Sequence, residues 1–456
     1  MPLQRPFSAI SAARHKGREM MQFMDVSPWV TQPDDLMPSL KGVGRADVVI
    51  IGGGYTGLSA ALRLREQGVD VALLEKDYCG MGASGRNAGH LTPTIGKDVF
   101  TCIKTFGEER GVALARFGDK AVEFTQDFLR DRDIDCDYAP TGNIIAGVHG
   151  DQYPLLEQSA AIARKVGIHM TFLDEAAMRG RGLPASFRFG ILETVGGHLH
   201  PGKYVAALRR LVIAAGVRVY ENSAVQAITE GPALKVCTAT GEISAEKVLI
   251  ATNAYTGPTL GLMQNRLLPV RVSQFMTAPL SERQLAAIGW PNREGIYTAH
   301  ELLENYRLTA DNRLIGGSKW VHYAFGNRLA EGNRPALFRR LAGVFRRRFP
   351  ELHDLEILGF WGGWIAVTLD FLPLFGVSDQ NERIHYSLGY NGHGVAQATM
   401  MGAASADAIM GRPWDELAVL QRRLWPLPPE PLRWLAYQAL IKPLEWKDAL
   451  LDRKIG

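Results

Sequence analysis

Residues 46–76, ADVVIIGGGYTGLSAALRLREQGVDVALLEK, contain the pattern that most constrains the fold of this chain. Val48–Ile51 is a short apolar run that predicts a buried strand, and three glycines follow it directly. Leu58–Gln67 then carries apolar residues at helical spacing, and Val69–Leu74 predicts the next strand. Together these segments predict a βαβ unit, the building block of an α/β fold with a parallel sheet.

The glycines of this unit have the spacing of a dinucleotide-binding turn. Gly52 permits the tight turn, Gly54 lets the backbone approach a diphosphate, and Gly57 lets the helix pack closely on the strand. Glu75 lies 23 residues after Gly52 at a strand end, where its carboxylate can accept the ribose hydroxyls. An acid there disfavours a 2′-phosphate, so we expect FAD or NAD, the alternative being a glycine turn without a nucleotide.

The segment after the acid favours FAD over NAD. Residues 80–92, GMGASGRNAGHLT, are a long stretch of small residues interrupted by Arg86, Asn87 and His90. A loop with this many backbone donors suits a flavin lying across it, whereas a flexible surface loop is the alternative. No second strand–GxGxxG–helix unit occurs, so no NAD(P)H site is expected. Such a flavoprotein takes electrons directly from its substrate, as an oxidase or dehydrogenase does.

At this point the sequence resembles a known family. IGGGYTGLSAALRL together with GASGRNAGH resembles the FAD-dependent glycine/D-amino-acid oxidase superfamily, and within it the γ-glutamylputrescine oxidase-like branch. The resemblance extends from about Ala46 to Gly411. It includes the segments TGNIIAG (141–147), GGHLHPGKYVAAL (196–208), ATNAYTG (251–257), NYRLTADNRLIGGS (305–318), LPLFG (372–376) and GYNGHGV (389–395).

The resemblance implies a non-covalently bound FAD, with covalent attachment through His90 or Cys79 as the alternative. It also implies that a backbone amide at Val225 meets the adenine and that the helix after NGHG faces the flavin's N1/O2 edge, where its N-terminus would stabilise the anion formed on reduction. The expected cofactor-binding residues are Gly52, Gly54, Tyr55, Thr56, Gly57, Glu75, Lys76, Ser84, Arg86, Asn87, Ala88, Gly89, His90, Val225, Thr252, Asn391, Gly392, His393, Gly394 and Val395.

The expected fold is α/β, or α+β overall, with a Rossmann-like FAD-binding domain interleaved with an antiparallel-sheet substrate domain. Alternating apolar and polar residues in the two insertions predict the antiparallel sheet. The expected division is an N-terminal arm (1–45), a discontinuous FAD-binding domain (46–139, 196–257 and 358–411), a substrate domain (140–195 and 258–357) and a C-terminal tail (412–456).

The expected substrate is an amine. Members that oxidise α-amino acids usually have an arginine shortly before the Asp-x-x-Pro segment, and residues 360–373 contain no arginine. Trp361 and Trp364 in that stretch suggest an aromatic lining for an alkyl amine, although both are equally compatible with a core position.

Tyr306, Lys319 and Arg86 are the expected catalytic residues, and Tyr306 is also expected to position the substrate. Lys319 would assist transfer to oxygen. Related sarcosine oxidases use a lysine in the corresponding strand, but the closest position here is Ile315, which leaves the oxygen reactivity open.

The expected reaction is hydride transfer from the α-carbon of a neutral amine to flavin N5, giving an imine that hydrolyses to an aldehyde while O2 is reduced to H2O2. Two alternatives are a dehydrogenase that passes electrons to a quinone or carrier protein, and a non-catalytic FAD-binding protein.

Composition excludes several other classes of protein. Cys79, Cys102, Cys136 and Cys237 are far apart with no Cys-x-x-Cys pair, so we expect neither a metal site nor a redox dithiol, and a cytoplasmic location. The net charge of +4 is dispersed along the chain, which argues against nucleic acid as a partner. No apolar run has the length of a signal or membrane segment. The oligomeric state stays open, and the Pro- and Trp-rich tail is expected to pack on the body, with a partner or membrane surface as the minor alternative.

Overall fold

Strands and helices alternate irregularly along the chain. The computed structural model describes residues 22–24, 26–257, 263 and 265–455. Within them the strands are β1 (Gly42–Ile51), β2 (Val71–Leu74), β3 (His90–Leu91), β4 (Asn143–Gly147), β5 (Met170–Leu173), β6 (Phe189–Glu193), β7 (Gly197–His198), β8 (Arg218–Tyr220), β9 (Ala227–Thr229), β10 (Leu234–Cys237), β11 (Gly241–Ile250), β12 (Leu268–Pro279), β13 (Gly295–Thr298), β14 (Glu304–Leu308), β15 (Arg313–Ser318), β16 (His322–Tyr323), β17 (Ile357–Val367), β18 (Leu374–Val377) and β19 (Ile384–Leu388). The α-helices are α1 (Tyr55–Glu66), α2 (Val99–Phe106), α3 (Glu108–Asp131), α4 (Tyr153–Lys165), α5 (Glu175–Gly180), α6 (Pro201–Ala214), α7 (Glu282–Ile288), α8 (Pro335–Arg348), α9 (Gly394–Ile409) and α10 (Leu432–Ile455).

The first sheet contains the predicted βαβ unit. Its strand order is β18-β19-β11-β1-β2-β8, with β10 and β9 added beside β11. β1 pairs in parallel with both β2 and β11. Val48 and Ile50 face a core shared with α1, α3, α6 and α9, whereas Val49 and Ile51 face the opposite core, as strand alternation requires.

The second sheet is built from the two insertions. Its order is β16-β12-β15-β14-β13-β4-β6-β5, with β17 paired to β12. All its pairings are antiparallel except β13 with β4. One face packs on α8 through residues such as Phe275 and Tyr306, and the other carries Met276, Ile315 and Trp361. These two sheets confirm the predicted fold class.

Two segment boundaries in the structure differ from the sequence-based division, and the tail packs on the body as expected. β1 begins at Gly42, so the described part of the arm ends at residue 41. β17 belongs to the second sheet, although residues 358–367 were expected in the FAD-binding domain. The tail from residue 412 ends in the long helix α10, which packs on the second sheet. Residues 1–21 and 25 of the arm, 258–262 and 264 of the substrate domain, and 456 of the tail lie outside the described residues.

The arm joins the second sheet at its β17 edge. Met24 N donates to the carbonyl of Phe360 at 2.8 Å, and Phe360 N donates to the carbonyl of Gln22 at 2.9 Å. In the described part of the chain, no helix has the length and apolar character needed to cross a bilayer.

Candidate active site

The glycine turn after β1 lies beneath the N-terminus of α1. Gly52 has a φ of +110°, and a β-carbon there would stand 2.8 Å from the carbonyl oxygen of Ala251. A β-carbon at Gly57 would stand 1.9 Å from the carbonyl oxygen of Gly52, so only glycine lets the helix approach this closely. Gly54 caps the helix without a side-chain hydrogen bond, which leaves an electropositive helix end suited to a diphosphate.

Glu75 is buried at the end of β2 beside this turn. One carboxylate oxygen accepts from Gly53 N at 2.7 Å and the other from Asp77 N at 3.1 Å. Burial raises the pKa of Glu75, while both backbone hydrogen bonds oppose the shift. The carboxylate is therefore held in place against the glycine turn, as ribose binding requires.

Three other residues expected to bind the cofactor, Lys76, Thr252 and Val225, lie in segments that border strands of the first sheet. Glu75 follows β2, and Thr252 follows β11, the two parallel neighbours of β1. Lys76 extends its Nζ over the ring of Tyr255, 4.8 Å from the centroid. Val225 is half-buried just before β9.

Asn87 organises the loop 80–92. Its amide nitrogen donates to the carbonyls of Ala83, at 3.1 Å, and Ser84, at 2.8 Å. Its amide oxygen accepts from Gly89 N at 2.8 Å. The Ser84 hydroxyl in turn accepts from Tyr55 N at 3.0 Å, which joins the loop to the first turn of α1.

Arg86 links this loop to the second sheet. Its guanidinium donates to the carbonyls of Met81, at 2.8 Å, and Gly362, at 3.1 Å, and pairs with Glu331 at 3.2 Å. Trp361 Nε1 donates to the Arg86 carbonyl at 2.9 Å. These contacts join the loop to β17, and the catalytic role expected for Arg86 stays a prediction.

His90 presents an unused ring nitrogen. Asn143 donates from its amide nitrogen to the carbonyl of Leu91 at 2.9 Å, so its oxygen faces His90 and accepts from His90 Nδ1 at 3.3 Å. His90 Nε2 then carries no proton, and it has no hydrogen-bond partner among the described residues. Burial, reinforced by the charge of Arg307, lowers the pKa of His90 to about 3.

Arg307 lies on the face of β14 that meets the loop. Its Nε donates to the carbonyl of Ala88, and its side chain is almost fully buried. Across the described residues no carboxylate forms an ion pair with Arg307, and its Nη2 has no hydrogen-bond partner. Burial lowers the pKa of Arg307 to about 10. A buried guanidinium without an anion is costly, so this position favours an anionic ligand group.

Two amides lie on the same face of the second sheet. Asn305, two residues from Arg307, donates to the Ser318 hydroxyl at 2.8 Å, and Gln274 donates to that hydroxyl at 3.4 Å. The carbonyl oxygens of both amides are buried without partners in the described structure. With His90 Nε2 and Arg307 Nη2 they supply four uncommitted polar atoms around the loop-facing side of the sheet.

Tyr306 and Lys319 lie on the opposite face of the sheet, contrary to expectation. Tyr306 packs against Phe187 and Phe349 and donates from its hydroxyl to Glu304 at 3.1 Å. Lys319 Nζ pairs with the same carboxylate at 2.8 Å. Alternation along β14 explains this arrangement, because Arg307 takes the loop-facing position and Tyr306 must point away.

Trp361 and Trp364 are both buried, but they do not share a face of β17. Trp361 packs with Met276 and Ile315 beside Ala88. Trp364 packs in the core of the first sheet. Residues three apart in a strand point to opposite sides, so a single aromatic wall can include Trp361 only.

The segment 391–395 ends at the N-terminus of α9. Asn391 accepts at its side-chain oxygen from Thr368 N at 2.9 Å, which fixes the turn. Gly392 has a φ of +87°, and His393 is half-buried; desolvation of its ring lowers the pKa of His393 to about 4. The first turn of α9, from Gly394 and Val395, contains no acidic residue and no side-chain cap, so it presents an uncompensated positive helix end.

Sequence reasoning missed several residues of this site. Trp29, from the arm, donates from Nε1 to the carbonyl of Asn87 at 2.9 Å and lies edge-on to Trp361. Arg307, Asn305 and Gln274 were missed as well. The one available signal was an arginine inside an otherwise buried strand, which is rare without a partner.

Comparisons with known proteins agree with this geometry. The family model described as FAD dependent oxidoreductase, DAO, matches residues 47–408. Gamma-glutamylputrescine oxidoreductase of Escherichia coli (strain K12) is 34% identical over 366 residues, covering 80% of this chain and 84% of that protein. The probable oxidoreductase OrdL of Rhizobium meliloti (strain 1021) is 29% identical over 423 residues, covering 92% and 95%.

Solved structures share the fold at lower identity. Glycine oxidase from Geobacillus kaustophilus matches with a TM-score of 0.72 at 19% identity, covering 84% of this chain and 100% of that one. L-proline dehydrogenase from P. horikoshii matches with a TM-score of 0.69 at 19% identity, covering 82% and 96%. The family identifies the dinucleotide that suits the glycine turn and Glu75 as FAD. The chain belongs to the DAO family of FAD-dependent oxidoreductases.

Proposed function

We propose that this enzyme oxidises the C–N bond of an amine that also carries a carboxylate, with γ-glutamylputrescine as the representative substrate. The observation that carries the proposal is the buried Arg307, which lacks an anionic partner in the described chain and touches the loop 80–92. The 34% identity to a gamma-glutamylputrescine oxidoreductase supports the same substrate class.

Arg307 would bind the substrate carboxylate. Its Nη2 is uncommitted, and a charge-assisted hydrogen bond in a buried site is strong because water competes poorly there. The unpaired amide oxygens of Asn305 and Gln274 would accept hydrogen bonds from amide or amine N–H groups of the same substrate. A long substrate with polar groups at both ends would satisfy more of these atoms than a simple amine.

The glycine turn, Glu75 and the uncapped start of α9 would hold the cofactor. Bound FAD supplies a hydride acceptor for the carbon next to the amine nitrogen. The chain's share is to orient that carbon and exclude water, with Trp361, Met276 and Ile315 forming a dry apolar wall. His90 Nε2 would accept a hydrogen bond from an N–H donor, since its low pKa keeps the ring neutral at physiological pH. The imine product would then hydrolyse to an aldehyde.

The electron acceptor is the second part of the proposal. O2, reduced to H2O2, is the first candidate, since Arg307 and the N-terminus of α9 bring positive charge to the site. A dehydrogenase using a quinone or carrier protein is the second candidate, because Ile315 stands where the resemblance to sarcosine oxidases implies a lysine, and Lys319 is buried in an ion cluster on the other face.

Anaerobic mixing of the holoenzyme with amines, followed by aeration, tests both the proposed substrate and the proposed electron acceptor. Bleaching of the visible flavin band by γ-glutamylputrescine, and slower bleaching by putrescine, would support a carboxylated amine substrate. Return of the colour in air with peroxide formation identifies an oxidase, and persistent bleaching identifies a dehydrogenase. Failure of every amine to bleach the flavin would overturn the proposal.

A further inference from the structure

The C-terminal helix α10 has two apolar faces, although it packs on the protein with only one. Tyr437, Ile441 and Leu444 pack on the second sheet. The opposite side carries a second apolar row at helical spacing, which we call the outer stripe: Leu432, Leu435, Ala439, Trp446 and Leu450. Within it Leu432, Leu435 and Trp446 are 57%, 51% and 66% exposed, so nothing in the described structure covers it.

A basic groove runs beside the outer stripe. It is a cavity of about 860 Å³ between α8 and α10, with Arg339, Arg340 and Arg347 of α8 on one wall and Trp446 on the other. Within the described chain none of these three exposed arginines forms an ion pair with a carboxylate. Arg340 lies over the ring of Trp320, with 3.9 Å between its guanidinium carbon and the ring centroid.

Basic residues also border the outer stripe along the helix itself. At 100° per residue, Lys442 and Arg453 fall on one side of it, and Lys447 and Lys454 fall on the other. The three lysines pair with carboxylates, Lys442 with Glu445, Lys447 with Glu301 and Lys454 with Asp151, whereas Arg453 forms no ion pair within the described residues. The two aspartates of α10 point inward instead. Asp448 accepts from the backbone of Glu301 and Leu302, and Asp452 pairs with Lys319 at 3.0 Å. The outward side of α10 is therefore apolar at its centre with ion-paired lysines at its edges, and the net positive charge beside it comes from Arg339, Arg340 and Arg347 of the groove.

We propose that this face docks on an anionic phospholipid surface. The outer stripe would enter the headgroup–acyl boundary, and the groove arginines would bind lipid phosphates. The exposed outer stripe and the unpaired arginines beside it supply together the apolar area and the positive charge that docking on an anionic membrane surface needs. A contact between two copies of this chain would cover the stripe but place like-charged arginines near each other, and nucleic acid would leave the stripe exposed. The proposal does not depend on which substrate the enzyme oxidises.

Vesicle flotation of the holoenzyme tests this proposal. We expect the protein to float with vesicles of phosphatidylcholine and phosphatidylglycerol at low salt, to float poorly with phosphatidylcholine alone, and to be released by high salt. The Trp446→Ser/Leu450→Ser and Arg339→Glu/Arg340→Glu variants should each lower the bound-to-free ratio by about tenfold or more.

Matched controls come from Val43 of β1 in the first sheet and from the C-terminal end of α4. Val43→Ser and Arg164→Glu/Lys165→Glu remove an exposed apolar side chain and reverse two exposed charges, and should bind as the wild type does. Flavin absorbance checks that each variant is folded. Absence of vesicle binding, equal binding to uncharged vesicles, or unchanged binding by both α10 and α8 variants would overturn the proposal. So would a lipid-free dimer that Trp446→Ser converts to monomer.

Discussion

At the scale of single residues, the site is defined by buried polar atoms that have no partner among the described residues. Buried donors and acceptors are normally paired, so a group of unpaired ones marks the place of a ligand. Here these atoms are Arg307 Nη2, His90 Nε2 and the amide oxygens of Asn305 and Gln274. They belong to separate segments of the chain and share only the face of the second sheet that meets the loop 80–92.

Replacing Arg307 should lower the activity toward carboxylated amines more than the activity toward simple amines. We expect Arg307→Ala to lower kcat/KM for γ-glutamylputrescine roughly 10- to 100-fold, the range for losing a hydrogen bond to a charged group, and to change turnover of putrescine much less. Steady-state kinetics with both amines measure this difference. Because Arg307 also donates to the Ala88 carbonyl, an equal loss for both amines would instead assign it only the support of the loop.

Replacing Gly57 should abolish cofactor binding. A β-carbon at this position would stand 1.9 Å from the carbonyl of Gly52, and the backbone must shift to accommodate it. We expect Gly57→Ala to be purified largely without FAD, whereas Gly180→Ala is the control, because a β-carbon there meets no atom within 4 Å and the backbone does not have a positive φ. The ratio of visible to ultraviolet absorbance reports the loading, and a fully loaded Gly57→Ala protein would contradict the assigned turn.

The flavin should be released by acid precipitation, with the yellow colour remaining in the supernatant. Burial raises the pKa of the Cys79 thiol well above its ordinary value, which keeps it protonated and a poor nucleophile. Colour retained in the precipitate would contradict non-covalent binding, and the Cys79→Ala and His90→Ala variants would then identify the attachment point.

At the scale of elements, the accuracy of the sequence-based prediction depended on whether a segment has one buried face or two. The βαβ unit was readable because its glycines, helix period and terminal acid coincide in one stretch. The side toward which Tyr306 points was not readable, because every residue of β14 is buried and the strand has no polar–apolar alternation to reveal its faces. β17 is equally buried along its centre, which hid both its pairing with β12 and the opposite directions of its tryptophans.

The cluster around Glu304 joins three elements and has its own pH dependence. Burial alone would raise the pKa of Glu304, but Lys319 of the β15 end and Arg348 of α8 outweigh it and lower the pKa to about 2. Because the pKa of Glu304 is lower in the folded state, its ionised carboxylate stabilises the protein at every pH above the ordinary glutamate pKa. This stabilisation is lost as the pH falls toward about 2.

We therefore expect Glu304→Gln to lose about 3–5 kcal/mol of stability at neutral pH, because Lys319 and Arg348 lose their buried counter-charge. The difference in Tm between Glu304→Gln and the wild type should be constant from neutral to mildly acidic pH. It should become smaller only below the ordinary glutamate pKa. Glu157→Gln, on the exposed side of α4, is the control. A difference in Tm that already becomes smaller near neutral pH would contradict the assigned ion cluster.

At the scale of the whole molecule, two sheets meet through the loop 80–92, and each contributes one half of the site. The first sheet supplies the features that hold a dinucleotide, and those were readable from local sequence. The second supplies the face that would meet the substrate, and its composition depends on register between distant strands, which a single sequence does not encode in any local pattern.

The close approach of α1 and α9 has a consequence for the synthesis of the protein. A β-carbon at Gly402 would stand 2.4 Å from the carbonyl oxygen of Thr56, so α1, the helix that follows the glycine turn, packs directly on α9. The ribosome synthesises Gly402 more than 330 residues after Thr56. Chains emerge from the ribosome N-terminus first, at about 5–20 residues per second. At that rate about 20–70 s separate the synthesis of α1 from the synthesis of α9. We therefore expect the nascent chain to bind flavin only near the end of translation.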